Sequence, residues 1–363
     1  MSARIVSMDQ FRGYTMAGMF LVNFIGSFAV VPAVFKHHNT YCSYADTIMP
    51  QFFFAVGFAF RLVLLRNRET LGAAAAYRKA VRRCLGLILV GLVVYHLDGR
   101  YRTWAELSDL GWWGFLEKSF RRDPFQALVH IGVTSLFILP VLAASIRARV
   151  VFMAASGLAH LGLSAWFWYD WLQANRVIDG GALGFLTWSI PTLTGSIAYD
   201  VLQRDGPAKS VGAFLRWGAL LCVLGYALSC LNAVFGPARG TGLSAWLVEP
   251  PFFPPARPVD LWTMSQRSGS ISYLWFSAGL SLLVYAAFVW WCDVRGRSWP
   301  WLGILGLNPL AGYLIHLWVA DAVKPFGPKD SPVWWVAVVF SIYFGLTYLF
   351  LRALDRQKIY LRM

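Results

Sequence analysis

Long apolar runs recur along the whole chain and limit it to very few folds. The stretch at 270–292, S-I-S-Y-L-W-F-S-A-G-L-S-L-L-V-Y-A-A-F-V-W-W-C, carries no charged side chain. A helix needs about 20 such residues to cross the hydrocarbon core of a bilayer. In lipid the backbone must satisfy its own hydrogen bonds, which leaves helices or a closed barrel. A barrel would show alternating segments of about 10 residues, and these runs do not alternate. The expected class is all-α, a polytopic membrane helix bundle forming one integral-membrane domain over 1–363 with no soluble domain. Only 14% of the residues are charged, against about 25% in soluble domains. The 18 Trp and 15 Tyr suit membrane–water boundaries.

Ten spans are predicted, at 13–34, 46–65, 84–97, 125–146, 150–169, 184–202, 212–234, 270–292, 301–321 and 333–352. The third is short and extends back through Ala80 if it crosses fully. With the N-terminus cytoplasmic, the inner side holds 20 of the 32 basic residues and six of the 18 acids. The outer side is then neutral. This asymmetry predicts both termini inside and explains the net charge of +14 without a nucleic-acid partner. The opening residues, 1–9, precede a run long enough to remain as an anchor, so no cleaved signal peptide is expected.

Two outer loops are long. Residues 98–124 carry Trp104, Trp112 and Trp113 and read as an amphipathic segment in the interface. Residues 235–269 contain P-P-F-F-P-P, which reads as an extended, lid-like loop. The five cysteines, Cys42, Cys84, Cys222, Cys230 and Cys292, stand singly. No metal-ligand spacing occurs and no metal is expected; a Cys42–Cys230 bridge stays open.

The chemistry is expected at the first outer hinge, K-H-H-N-T-Y-C-S-Y-A-D. Polar and titratable groups at a membrane boundary are costly and therefore mark function. Five of six histidines, His37, His38, His96, His130 and His316, fall toward the outer side; His160 lies near mid-membrane. An imidazole suits a general base near neutrality. Asn23, Asn39 or Asn308 could donate to a developing oxyanion, or Asn23 and Asn308 could simply join helices. On the inner side, Asp9 and Arg12 share a helix face as an ion pair. Alternatively Arg12, Arg61 and the 78–83 basic run receive an anionic cofactor. No phosphate-binding glycine loop and no G-x-S-x-G elbow is present.

These motifs, S-M-D-Q-F-R-G, L-V-N, F-K-H and Y-A-D-T-I-M-P-Q-F-F-F-A-V-G, resemble the N-terminal signature of the heparan-α-glucosaminide N-acetyltransferase family of transmembrane acyltransferases. L-G-L-N-P-L-A-G-Y-L-I-H near the C-terminus and M-S-Q-R-S-G-S-I-S-Y-L at 264–274 are similar to later family segments. The resemblance implies transfer of an acetyl group from cytoplasmic acetyl-CoA to an amino sugar or glycan on the far side of a bilayer. For a bacterial-type member that bilayer is the inner membrane. It implies His37 as the catalytic histidine, with Asn23 and Asp46 beside it, and puts Arg12, Asp9, Arg61 and Asn308 at the acyl-CoA. The hinge departs from the family pattern in reading H-N-T-Y-C, which keeps His38 as a rival to His37. A sugar or lipid transporter, or a non-catalytic protein on the same scaffold, is the competing reading. N- or O-acetylation and a homodimer both stay open.

Overall fold

The computed structural model of the chain describes residues 4–38, 40–96, 101–119, 125–175, 177–236 and 241–361. Among them there is no strand. The helices are α1 (Val6–Ile25), α2 (Tyr44–Leu71), α3 (Ala73–His96), α4 (Trp104–Ser119), α5 (Ala127–Leu142), α6 (Ile146–Leu163), α7 (Tyr169–Ala174), α8 (Phe185–Ser229), α9 (Leu231–Phe235), α10 (Ile271–Phe288), α11 (Pro300–Leu307), α12 (Pro309–Val323) and α13 (Val333–Arg356). A wide turn at Ser164–Trp168 joins α6 to α7, and a similar one extends α10 to Val294.

Five helical segments among the described residues are long and apolar enough to cross a membrane, or six if the bent α11–α12 pair is one span. One of the five runs from Gly181 to Phe235 and folds back on itself within α8 at Gly206, whose φ is 74°. There the Ser210 hydroxyl reaches the Val201 carbonyl nine residues back, at 3.3 Å. Helices α1 and α3 fall outside this group because α1 carries Asp9, Gln10, Arg12 and Asn23, and α3 carries Arg78, Lys79, Arg82 and Arg83. α5 is apolar but only 16 residues long.

Two span boundaries need correction. The first was expected at 13–34, but α1 stops at Ile25. Of the apolar residues beyond it in that range only Phe28 is buried, while Ala29, Val30, Pro32 and Ala33 are exposed. Phe28 is buried against Phe24, and the Ala29 N–H bonds the Lys329 carbonyl at 2.7 Å. The ninth was expected to run unbroken through Pro309. Instead the chain bends by 93° between α11 and α12. Proline lacks an N–H and bars helical geometry to the residue before it; Asn308 accordingly sits at φ −129°, ψ 56°. The third helix does extend back past Ala80, as far as Ala73.

α2 and α10 occupy the centre, and α6 and α13 the rim. α2 crosses α8 through two glycines. A Cβ on Gly57 would lie 1.7 Å from the Thr192 carbonyl oxygen, and one on Gly195 would lie 1.9 Å from that of Phe54. Small residues allow this backbone approach, the usual solution where lipid gives helices no hydrophobic reason to associate. α1 is wedged between two apolar clusters. Met16, Phe20 and Phe24 face α12 and α13, while Met8 and Phe11 face α2 and α10.

One ionic knot ties α2, α6 and α8 together. Arg61 forks onto Asp200 at 2.9 and 3.0 Å and donates to the Leu142 carbonyl at 2.7 Å. Arg149, fully buried, also bonds Asp200 and donates to Ser196 Oγ at 2.8 Å. Removing one partner of a buried pair leaves an uncompensated charge, which costs about 3–5 kcal/mol. Asp200→Ala is therefore expected to destabilise the protein by about that amount, read as an earlier unfolding midpoint in detergent solution.

Candidate functional site

The site begins with a helix start. Ser43 caps α2: its hydroxyl oxygen accepts from the Asp46 N–H at 3.3 Å, and Asp46 Oδ2 accepts from the Ser43 N–H at 2.9 Å. This reciprocal arrangement satisfies two donors that a helix N-terminus leaves orphaned. The same Oδ2 accepts from the His38 N–H at 3.3 Å. The Ser43 hydroxyl lies 2.9 Å from Oδ2 and 2.7 Å from the Lys36 carbonyl, so its one proton can serve either. Pro50 has no N–H to offer the Asp46 carbonyl one turn earlier. Tyr273 of α10 fills that gap by donating its hydroxyl to that carbonyl. Asp46 is thus wholly buried and fixed at both ends.

Its remaining oxygen, Oδ1, lies 2.9 Å from His37 Nδ1. The far nitrogen, Nε2, lies 3.2 Å from Oδ1 of Asn23 on the last turn of α1. The three residues named from the N-terminal motifs therefore form one line, Asp46–His37–Asn23. The His37 side chain is 41% exposed, the Asp46 side chain not at all. Burial opposes a charge on the ring. The hydrogen bond and charge of Asp46, with help from Asp179 and Gln266, outweigh it, so the His37 pKa lies above its ordinary value. An imidazolium also suits the geometry: both ring nitrogens then donate, one to a carboxylate and one to an amide oxygen.

His37 and Asn23 stand between two cavities. One, of about 470 Å³, opens past Lys36, His38, His316 and Lys324. The other, of about 250 Å³, is lined by Met19, Ile48, Met49, Phe52 and Ile131, with Asp179 and Gln266 at the polar end. Tyr95 of α3 and Tyr313 of α12 line this cavity too, and their hydroxyls touch. A third cavity, of about 770 Å³, lies at the other end of the same helices and is lined by Arg12, Arg66, Lys79 and Arg83. From Asp46 to Arg66 along α2 is about 30 Å at 1.5 Å per residue, the thickness of a hydrocarbon core.

The other expected site residues divide. The His38 ring turns aside, with Nε2 2.7 Å from the Ala33 carbonyl and its face stacked on Tyr41. Asp9 pairs with Arg4 and Arg12, and Arg12 alone of this group lines the basic cavity. Arg61 is committed to Asp200 and Leu142 and does not line it. Asn308 holds the C-terminal segment, donating to the Ile359 carbonyl at 2.8 Å and accepting from the Leu361 N–H at 3.1 Å. Asn39 lies outside the described residues. His130 and His160 bond within the bundle, to the Asp179 carbonyl and Ser164 respectively. All five cysteines are free thiols, so the Cys42–Cys230 bridge is not formed. In the long loops, α4 breaks at Gly111 and leaves Trp104, Trp112 and Trp113 exposed. Asp179, Gln266, Tyr95 and Tyr313 were not singled out from the sequence. The signals available were the Q-R-S-G-S segment, whose glutamine carried no mark of its own, and the tyrosine of L-N-P-L-A-G-Y, which is Tyr313.

Fold and site together define a helical bundle of membrane-spanning character, with a carboxylate–imidazole–amide centre at one end and a basic cavity at the other. No protein-family model matches the chain, and a search of curated proteins returns no match.

The raised His37 pKa has a sign that can be checked. The folded state holds the ring proton more tightly than the unfolded chain does. The resulting stabilisation is complete below the unfolded value of about 6.5 and is lost as pH rises through the folded value. An NMR titration of His37 should give a midpoint above 6.5, and Asp46→Asn should lower it.

Proposed function

We propose that this protein is a membrane acyltransferase, moving an acetyl or similar acyl group from cytoplasmic acyl-CoA to an amino sugar or glycan on the outer side. In this reading the chain crosses the membrane ten times with both termini cytoplasmic, in a bacterial inner membrane. The observation that carries the proposal is the pairing of a base-like centre with a cationic cavity across one membrane thickness. Arg12, Arg66, Lys79 and Arg83 offer four cations to the phosphates of the donor, a role to which guanidinium groups are well matched. The pantetheine arm then runs between α1, α2, α3 and α12 toward the apolar cavity beneath His37, passing the Tyr95–Tyr313 contact.

The chemistry assigned to His37 is general-base catalysis. The acceptor nitrogen or oxygen attacks the thioester carbonyl and gives its proton to His37 Nε2. The carbon–sulfur bond breaks, and the proton passes on to the departing thiolate. Asp46 holds Nδ1 and stabilises the charged ring, the orienting role of a carboxylate behind a histidine base. While the ring is neutral, Asn23 must present its amide N–H₂ to Nε2 or leave that nitrogen to the acceptor. Its oxygen then receives the N–H of the charged ring, so this bond strengthens as the proton arrives.

Radiolabelled acetyl-CoA, incubated with the purified protein and a panel of amino sugars, tests the proposal. Transfer by the wild type is expected, with His37→Ala lowering kcat by about 10²–10⁴-fold. Absence of both transfer and CoA binding would sink it. In the same assay Arg83→Gln should raise KM for acetyl-CoA about tenfold or more, the scale of a lost hydrogen bond to a charged group, with little change for the acceptor.

A further inference from the structure

Two residues distant in sequence meet beside His37. Asp179 precedes α8 and Gln266 precedes α10, yet Gln266 Nε2 donates to Asp179 Oδ1 at 2.8 Å. Gln266 also favours the charged form of the His37 ring. Its amide nitrogen is turned toward the carboxylate. Both residues line the cavity that His37 and Asn23 close.

The chain goes to some length to put Asp179 there. Its φ is 57°, in the left-handed region, and it is 2% exposed. A backbone of that kind persists only where the surroundings over-determine it. Here its carbonyl oxygen accepts from His130 Nε2 at 3.1 Å and from Trp188 Nε1 at 2.8 Å. The next peptide is pinned as well: the Gly180 N–H bonds the Arg267 carbonyl at 3.0 Å, and Trp168 Nε1 bonds the Gly180 carbonyl at 3.1 Å. Arg267 in turn donates to the Leu172 and Asn175 carbonyls at 3.0 and 2.8 Å. The carbonyl holds the loop, and Asp179 lines the cavity beside Gln266.

We propose that Asp179 and Gln266 form the acceptor-recognition site. The Asp179 carboxylate takes the hydrogens of the acceptor's ammonium or hydroxyl, and Gln266 holds that carboxylate in place through its amide nitrogen. This rests on the acyltransfer reading above. A carboxylate accepts hydrogen bonds and cannot donate them, so its ligand must bring donors, and its charge favours an ammonium over a hydroxyl.

Asp179→Asn isolates the carboxylate, because asparagine tolerates the left-handed region and keeps the backbone carbonyl. With the full-length protein in detergent, D179N should raise the acceptor KM at least tenfold while KM for acetyl-CoA stays within twofold. Asp179→Asn combined with Gln266→Glu returns a carboxylate to the cavity and should recover part of the loss. A purely structural role would instead shift both KM values together and lower the melting temperature. Equilibrium dialysis with radiolabelled glucosamine and methyl glucoside adds a measurement that needs no turnover. D179N should weaken glucosamine binding at least tenfold and methyl glucoside binding less. Equal weakening of the two supports the site with hydroxyl recognition in place of ammonium recognition. The inference is overturned if D179N binds both sugars as the wild type does, or if the wild type binds neither. Asp179-dependent binding without any acetyl transfer would leave this site standing and remove the acyltransferase reading.

Discussion

A single buried carboxylate organises the His37 end of this bundle. Asp46 starts α2 by capping it, accepts from the hinge at the His38 N–H, and presents its last oxygen to His37. These tasks are coupled. The proline that frees the Asp46 carbonyl brings in Tyr273 from α10, so the rotation of α2 about its axis is fixed just where the carboxylate emerges. A charge taken out of water is costly unless paired and hydrogen-bonded, and Asp46 meets that condition entirely with groups that also shape the hinge. The position of the imidazole is therefore a consequence of how α2 begins. A more mobile hinge would leave the ring free to turn toward solvent.

The opposite end follows different rules. Asp200 gathers two guanidinium groups, one of them fully buried, and so removes Arg61 and Arg149 from the pool of free cations. Arg12, Arg66, Lys79 and Arg83 line an open cavity instead. The distinction matters because a guanidinium that already forks onto a carboxylate has few donors left for a phosphate. Sequence proximity cannot make it: Arg61 and Arg66 lie on one helix, yet one faces α8 and the other the cavity.

This is also where the sequence was legible and where it was not. The all-α class followed from apolar runs too long and too continuous for anything else. The line of Asn23, His37 and Asp46 was readable through the resemblance of the N-terminal motifs, which places all three in one hinge and the helix ends beside it. His37 and His38 could not be separated by sequence, since adjacent loop residues point apart for reasons of local backbone geometry; here His38 is taken up by Ala33 and Tyr41. Asn308 looked like a site residue because it sits in a quoted motif, but that motif marks a helix break whose loose ends the amide ties to the C-terminal segment. The end of the first span was misplaced because the apolar residues beyond α1 lie in a loop, with Phe28 packed inward and Val30 exposed, and hydropathy cannot tell a helix from an apolar loop. Asp179 and Gln266 are 87 residues apart. Nothing in either local sequence announces that two loops will meet.

The orientation of Asn23 carries the argument furthest. Its oxygen, not its nitrogen, faces His37 Nε2, while Asp46 faces Nδ1. Around a neutral imidazole with Nδ1–H on Asp46, an oxygen at Nε2 would meet a lone pair. Around a charged ring it receives a proton. Acceptors at both ring nitrogens are matched to the imidazole after it has taken a proton and mismatched to it before. Interactions that strengthen as the reaction proceeds are those that accelerate it. Amide groups supply this without adding a second negative charge in contact with the ring, which would hold the proton too firmly to release it. A further carboxylate, Asp179, favours the charged ring by its charge alone, with no hydrogen bond to it.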